Sequence, residues 1–227
     1  MNTHDDTAVG GALATGGRRA GLAATRSALV DAAVDVFDEV GFTDATISSI
    51  SARAGRSHGS FYTYFDSKEE VFHAAVRRVN DDEVDRRGDQ PEASSLEERI
   101  ARTNARFIDA YRHHARLLAS LEELAARNEA TRDLRRSTRH RYIEKTIASI
   151  QRWQDDGVVA PDLDAEALAH CLGSMVERVA HMLVVFGDGC TDDRMMAAIS
   201  DIWCGALGLR LAEGRSAALA LCGQEAS

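Results

Sequence analysis

The stretch Ala45–Phe65, ATISSISARAGRSHGSFYTYF, carries the signals of two short helices around one glycine. Thr46 has the short polar side chain that caps a helix N-terminus, and Ile47, Ile50 and Ser51 then fall on one inward face of a helix ending near Arg53. Gly55 supplies the left-handed residue that closes such a helix. Ser57 caps a second short helix to about Tyr64, which carries His58, Ser60, Phe61, Tyr62 and Tyr64 in little more than two turns. Two short helices joined at a glycine describe a helix-turn-helix.

The flanks extend the pattern. Upstream, Leu29, Ala32, Ala33, Val36, Phe37 and Val40 recur at the spacing of one buried helical face, with Asp31, Asp35 and Asp38 on a different, solvated one, and Gly41 at the end. Downstream, Asp66 or Ser67 opens a helix to about Asp85, before the polar segment Arg86–Ser94 with Gly88 and Pro91 breaks the chain. Further helices are predicted over 95–111, 115–127, 129–155, 164–186 and 192–211. Gly157 and Pro161 stop the third of these, and Asp164 caps the next, whose Leu168, Leu172, Met175, Val179 and Met182 form an apolar stripe. No β-branched run alternates with polar residues, so the fold class is all-α, with about nine helices. The expected organisation is a disordered, glycine-rich arm over 1–20, a three-helix helix-turn-helix domain over 21–75, a second helical domain over 76–213 and a frayed tail over 214–227.

Composition bounds the function. No apolar run is long enough to cross a membrane and the first residues lack the apolar core of a secretory signal, so a cytoplasmic protein is expected. Cys171, Cys190, Cys204 and Cys222 form no metal-ligand pattern and read as reduced thiols. Glu166 and His170, like Glu177 and His181, are four apart where di-iron bundles need three, and neither H-E-x-x-H nor G-x-S-x-G occurs. No catalytic residue, metal or cofactor is expected, and the protein does not read as an enzyme. The net charge of -9 argues against nucleic acid as a partner until its distribution is considered. Met1–Phe65 holds five arginines against seven acids, a local net of -2, but between Ala45 and Phe65 there are two arginines and no acid. The prospective contact surface is therefore expected to be positive.

The whole segment Thr25–Val76, with AAVDVF and GF over 32–42, ARAGRSHGSFYTYF over 52–65 and SKE over 67–69, resembles the DNA-binding domain of TetR-family transcriptional regulators. The resemblance implies that His58 and Ser60, at the start of a recognition helix capped by Ser57, face base edges in the major groove of double-stranded operator DNA, with Gly59 allowing close approach. It implies phosphate contacts from the hydroxyls of Tyr62 and Tyr64 and from Lys68, and a further one from Thr46 beside its cap role. Arg18, Arg19 and Arg26 would add phosphate or minor-groove contacts. One departure is Arg56, where the family carries a small aliphatic residue. It either reaches out to a phosphate or alters the seating of the recognition helix, and the first is favoured. Phe61 and Phe65 read as core. His58 is equally a merely exposed histidine, and Thr46 equally a cap alone.

LAHCLGSMVERVAHMLVVFGDG over 168–189, followed by RMMAAISDIWCGALG over 194–208, resembles the last two helices of the ethionamide-resistance regulator subgroup. This implies a homodimer joined through those two helices, with Ala169, Gly173, Ala180, Ala198, Ile202 and Gly205 permitting close approach. It also implies a small-molecule effector. Phe107, Tyr111, Leu118, Trp153, Met175, Val179, Met182, Phe186 and Trp203 are the pocket candidates, with Tyr111 or Arg178 as polar anchors, and the set leans to an apolar ligand. The same residues also read as ordinary core. The resemblance points to a repressor released by its effector; an activator or a ligand-independent regulator on the same fold is the alternative.

Overall fold

The computed structural model describes residues 9–85, 95–185 and 192–209, with side chains for 20–81, 95–184 and 193–209. Among the described residues the chain forms nine helices and no strand: α1 (Val9–Asp44), α2 (Ile47–Arg53), α3 (His58–Phe61), α4 (Lys68–Asp85), α5 (Leu96–His113), α6 (Ala115–Ala125), α7 (Glu129–Asp155), α8 (Ala165–Val185) and α9 (Asp192–Ala206). Helix starts and ends carry local caps. Ser95 accepts the amide of Glu98 and Asn128 that of Thr131, while Gly157 takes φ 71° beyond α7.

Several features depart from the sequence reading. Helix α1 begins at Val9, inside the segment expected to be a disordered arm; alanine, leucine and arginine favour helix there and no proline interrupts them. Gly41, at φ 75° and ψ 176°, ends the regular part of α1. Val40, expected on the buried face, is 44% exposed, because the chain turns away there. Helix α3 stops at Phe61 and the chain continues to Tyr64 as turns. Residues 1–8 and the tail over 214–227 lie outside the described residues.

The first core gathers Leu29, Ala33, Val36 and Phe37 of α1, Ile50 of α2, Phe61 and Phe65, and Phe72 of α4. The rings of Phe37 and Phe42 each meet that of Phe72 at 5.1 Å near right angles. Burial of each such side chain stabilises the fold by roughly 1.5–3 kcal/mol. Leu117 and Leu121 of α6 and Leu134 of α7 complete the same core. The boundary expected near Ala75 falls inside α4, and α6 packs on α1. There the Phe42 amide donates to Ser120 Oγ at 3.0 Å, His114 Nδ1 lies 2.6 Å from Asp38 Oδ2, and the Arg116 guanidinium donates to the Glu39 carbonyl. His73 Nε2 meets Thr131 Oγ1 of α7 at 2.8 Å.

The second core lies among α5, α7, α8 and α9, around Ile108, Ile143, Ile150, Leu172, Val176 and Ile199. Ala169 and Ala180 are fully buried within it, and a Cβ at Gly173 would stand 2.9 Å from Ile143 Cδ1. These three small residues let α8 approach its own neighbours in the chain. Ile202, 50% exposed, and Gly205, exposed on α9, still face outward.

Candidate functional site

Helix α2 is held by a reciprocal cap in which the Ser49 amide donates to Thr46 Oγ1 at 3.0 Å and the Thr46 amide donates to Ser49 Oγ at 3.1 Å. Gly55, at φ 64°, turns the chain, and Ser57 Oγ accepts the Ser60 amide at 3.2 Å to start α3. This leaves Arg56, His58 and Gly59 exposed on one short stretch, with Ser60 half-buried. Ser48 Oγ lies 3.2 Å from His58 Nδ1, which orients the ring and leaves Nε2 for another partner. Tyr62 is 51% exposed and its ring stands edge-on to His58 at 5.4 Å. An apolar ring with a hydroxyl so placed has no packing reason to be outside. Tyr64 is half-buried against the first core. Arg26 is exposed and stacks over the Phe65 ring at 4.8 Å. Arg18 and Arg19 fall within α1, and their side chains lie outside the described residues.

Two expectations change. Lys68 does not stand free at the start of α4. Its ammonium donates to the carbonyls of Phe42 and Ala45 at 2.8 Å and of Thr43 at 3.3 Å, and lies 4.4 Å from the Phe42 ring centre. Carbonyls left over at the end of α1 need such a donor, and the ammonium has only three protons. Nor is the α2–α3 surface as positive as the arginine count suggests. Arg53 donates to both carboxylate oxygens of Glu39, at 2.6 and 2.8 Å, and stands 3.6 Å from Asp35. The hydrogen bond from Arg53 holds the Glu39 carboxyl below its ordinary range. The acids of α1 thus neutralise one arginine, and Arg56 is the cation left facing out.

Among the described residues, two cavities bear on the ligand candidates. The first, about 840 Å³ including space open to solvent, is bounded by α4 through Val79 and Asn80, by α6 through Leu118, Leu121 and Glu122, and by α5, α7 and α8. One wall is apolar: Phe107, Tyr111, Leu118 and Tyr142, with the rings of Phe107 and Tyr142 5.3 Å apart. The other is an ion-pair chain in which Arg135 bridges Glu122 at 2.5 Å and Glu177 at 3.3 Å, and Arg139 reaches Glu177 at 3.3 Å. The Tyr111 hydroxyl lies 3.1 Å from His181 Nδ1, and burial, reinforced by Glu122 and Glu177, pushes its phenol up to about 12.

The second cavity, about 610 Å³ on the same measure, lies between α5, α7 and α9 and holds Trp153 and Trp203 in its wall. The ten ligand candidates therefore do not converge on one pocket. Phe107, Tyr111 and Leu118 line the first cavity, and Trp153 and Trp203 the second. Met175 and Val179 pack against the second core and Met182 is half-buried, all three lining neither cavity. Arg178 faces solvent, and Phe186 is outside the described residues. Sequence reasoning missed Tyr142, Glu122, Arg135, Arg139 and Glu177 at the first cavity and Asn104 at the second. Among the described cysteines, neither Cys171 nor Cys204 forms a disulfide.

Residues 29–75 match the family model of bacterial regulatory proteins of the tetR family, and residues 100–207 match that of the C-terminal domain of the transcriptional regulator EthR. The chain belongs to the TetR family of transcriptional regulators. It is 28% identical over 171 residues to the HTH-type regulator YdgC of Bacillus subtilis, covering 72% of this chain and 83% of that one. It is 31% identical over 93 residues to BetI 1 of Chromohalobacter salexigens, covering 41% and 40% of the two chains. A TetR-family regulator of a Rhodococcus species shares the fold, with a TM-score of 0.70 at 18% identity over 81% of this chain and 98% of that one. A regulator of Saccharomonospora viridis, solved with choline, gives 0.65 at 21% identity over 79% and 95%. TetR-family regulators bind DNA and small-molecule effectors, usually as dimers. No helix among the described residues is long and apolar enough to cross a membrane.

Proposed function

We propose that the chain is a ligand-responsive repressor that grips a palindromic operator as a dimer and is released by a small effector in the first cavity. The observation that carries this reading is that the cavity is walled by α4 and α6, the two helices that also pack on α1 of the DNA-binding part. A ligand that prefers one placement of these helices shifts the spacing of the two recognition helices, and differential affinity for the two placements is all that release requires. Half-sites for such dimers lie about 34–36 Å apart or at related spacing. The outward Ile202 and Gly205 on α9 support pairing through α8 and α9.

On DNA, His58, Gly59 and Ser60 read base edges, while Arg56, Tyr62 and Tyr64 take phosphates together with Arg26 and the α1 arginines Arg18 and Arg19. Thr46 and Ser57 act as caps whose exposed oxygens border the same surface, and Lys68 positions the helix-turn-helix from behind. The effector is amphipathic rather than purely apolar: its body lies on Phe107, Leu118 and Tyr142, and its polar end faces the Glu122–Arg135–Glu177–Arg139 chain. The choline complex of the S. viridis neighbour supports an effector of small size with a charged end. Fluorescence anisotropy against DNA from upstream of the gene, with and without a panel of amphipathic metabolites, tests the reading. Salt-sensitive binding abolished by one compound is expected. Binding that no compound alters, with Leu118→Trp filling the cavity to no effect, overturns effector control.

A further inference from the structure

Ser48 is exposed at the second position of α2, and its Oγ lies 3.2 Å from His58 Nδ1 at the start of α3. The His58 ring is held from a second side by Tyr62, one turn on, whose ring stands at 74° to it with centroids 5.4 Å apart. An exposed side chain ordinarily changes rotamer freely. This one is fixed from α2 and from the turn that follows α3.

The two ring nitrogens then have different tasks. Among the described residues the Ser48 hydroxyl has no other hydrogen-bond partner, so its proton is donated to Nδ1. With Nδ1 accepting, the ring proton sits on Nε2, and the outward nitrogen is a donor. If the ring takes up a second proton, Nδ1 donates to Ser48 Oγ and Nε2 still donates. The outward nitrogen therefore calls for an acceptor in either charge state. In the major groove guanine presents two adjacent acceptors, N7 and O6. Adenine sets N7 beside an amino donor, thymine sets O4 beside a methyl group, and cytosine presents a donor. Without the Ser48 hydroxyl the ring is free to turn or to take the other tautomer, whose Nε2 accepts, and the discrimination falls.

We infer that Ser48 is a positioning residue for base recognition: it holds the His58 imidazole with Nε2 as the donor, so that the pair selects a guanine in each half-site. The inference rests on the proposed base-reading role of His58 and deepens it by naming the base.

Selection of bound duplexes from a randomised pool by the full chain, followed by anisotropy titration on the selected site, tests it. The parent is expected to enrich guanine at one position of each half-site. Ser48→Ala is expected to lower that preference roughly tenfold at that position alone, Ser48→Thr, which keeps the hydroxyl, to retain it, and His58→Ala to abolish it. In the His58→Ala background Ser48→Ala is expected to change nothing further, whereas a serine that touched DNA by itself would still cost affinity there. Both residues are exposed, so melting temperatures equal to the parent's separate this role from a structural one. The inference alone is overturned if His58→Ala loses a base preference that Ser48→Ala keeps, if the two substitutions act additively, or if the base lost with His58 is not guanine. A His58→Ala variant that selects the parent's sites overturns base reading by His58 itself, and the inference with it.

Discussion

Around Phe37, Phe61, Phe65 and Phe72 the N-terminal core is built on paired rings, Phe37 edge-on to Phe72 and Phe61 tilted against Phe65. Between α5, α7, α8 and α9 the chain buries a comparable set of isoleucines, leucines and alanines but leaves two cavities, one walled by paired charges and one by the two tryptophans. The contrast separates two tasks. A surface that reads DNA must hold a few side chains at fixed positions, which dense packing achieves. A part that senses small molecules must keep volume unfilled, and it gives up some stability in doing so.

This comparison can be broken most directly by truncating one ring in each region. Phe61→Ala is expected to cost about 3–5 kcal/mol in denaturant unfolding, because the buried core around it has little room to collapse. Phe107→Ala, at an existing cavity wall, should cost well under half of that. Equal losses would show that the two cores are packed alike.

Smaller effects sharpen the boundary between holding and reading. Lys68→Met should remove about 1.5–3 kcal/mol of stability through its lost carbonyl contacts. DNA affinity should fall for all sequences, with the salt slope unchanged. A slope reduced by about one would return Lys68 to a phosphate role. Tyr62→Phe should do the converse: stability within about 0.5 kcal/mol of the parent, and weaker binding to every sequence. A change confined to one base position would overturn its phosphate role.

The smallest expected effect is pH-dependent. Burial, helped by Arg77, holds the His73 imidazole below its ordinary 6.5 where it meets Thr131. The unfolded chain therefore takes up the proton first as pH falls, so stability contributed by neutral His73 is intact above about 6.5 and declines below it. Melting temperatures on either side of that pH should diverge in the parent and less so in His73→Gln. An identical decline in the variant would assign the effect to other groups.

Most helix limits were legible because caps and stop residues are local: Thr46, Ser57, Ser95, Asn128, Gly41 and Gly157 all sit at the ends they announce. The exposed tyrosine and histidine of the α3 region were legible from a motif whose spacing is short-range. Tertiary partners were not. Nothing in the run SKE predicts that Lys68 turns back to carbonyls more than twenty residues away, or that Arg53 pairs with acids of α1. Helix α7 is polar on nearly every face, so periodicity alone could not tell that Arg135 and Arg139 point into a cavity. One signal was available and went unused: Asn104 interrupts the buried stripe of Ile100 and Ile108, and a polar residue in such a stripe requires a partner.

Tyr142 lies in the wall of both cavities. A ring shared by two compartments is a mechanical and thermodynamic joint: whatever rotamer one side demands is the rotamer offered to the other. An occupant of the first cavity therefore reshapes the second, and a substitution that fills the second must move the midpoint of a titration at the first. A single phenol then ties the packing of the two compartments together.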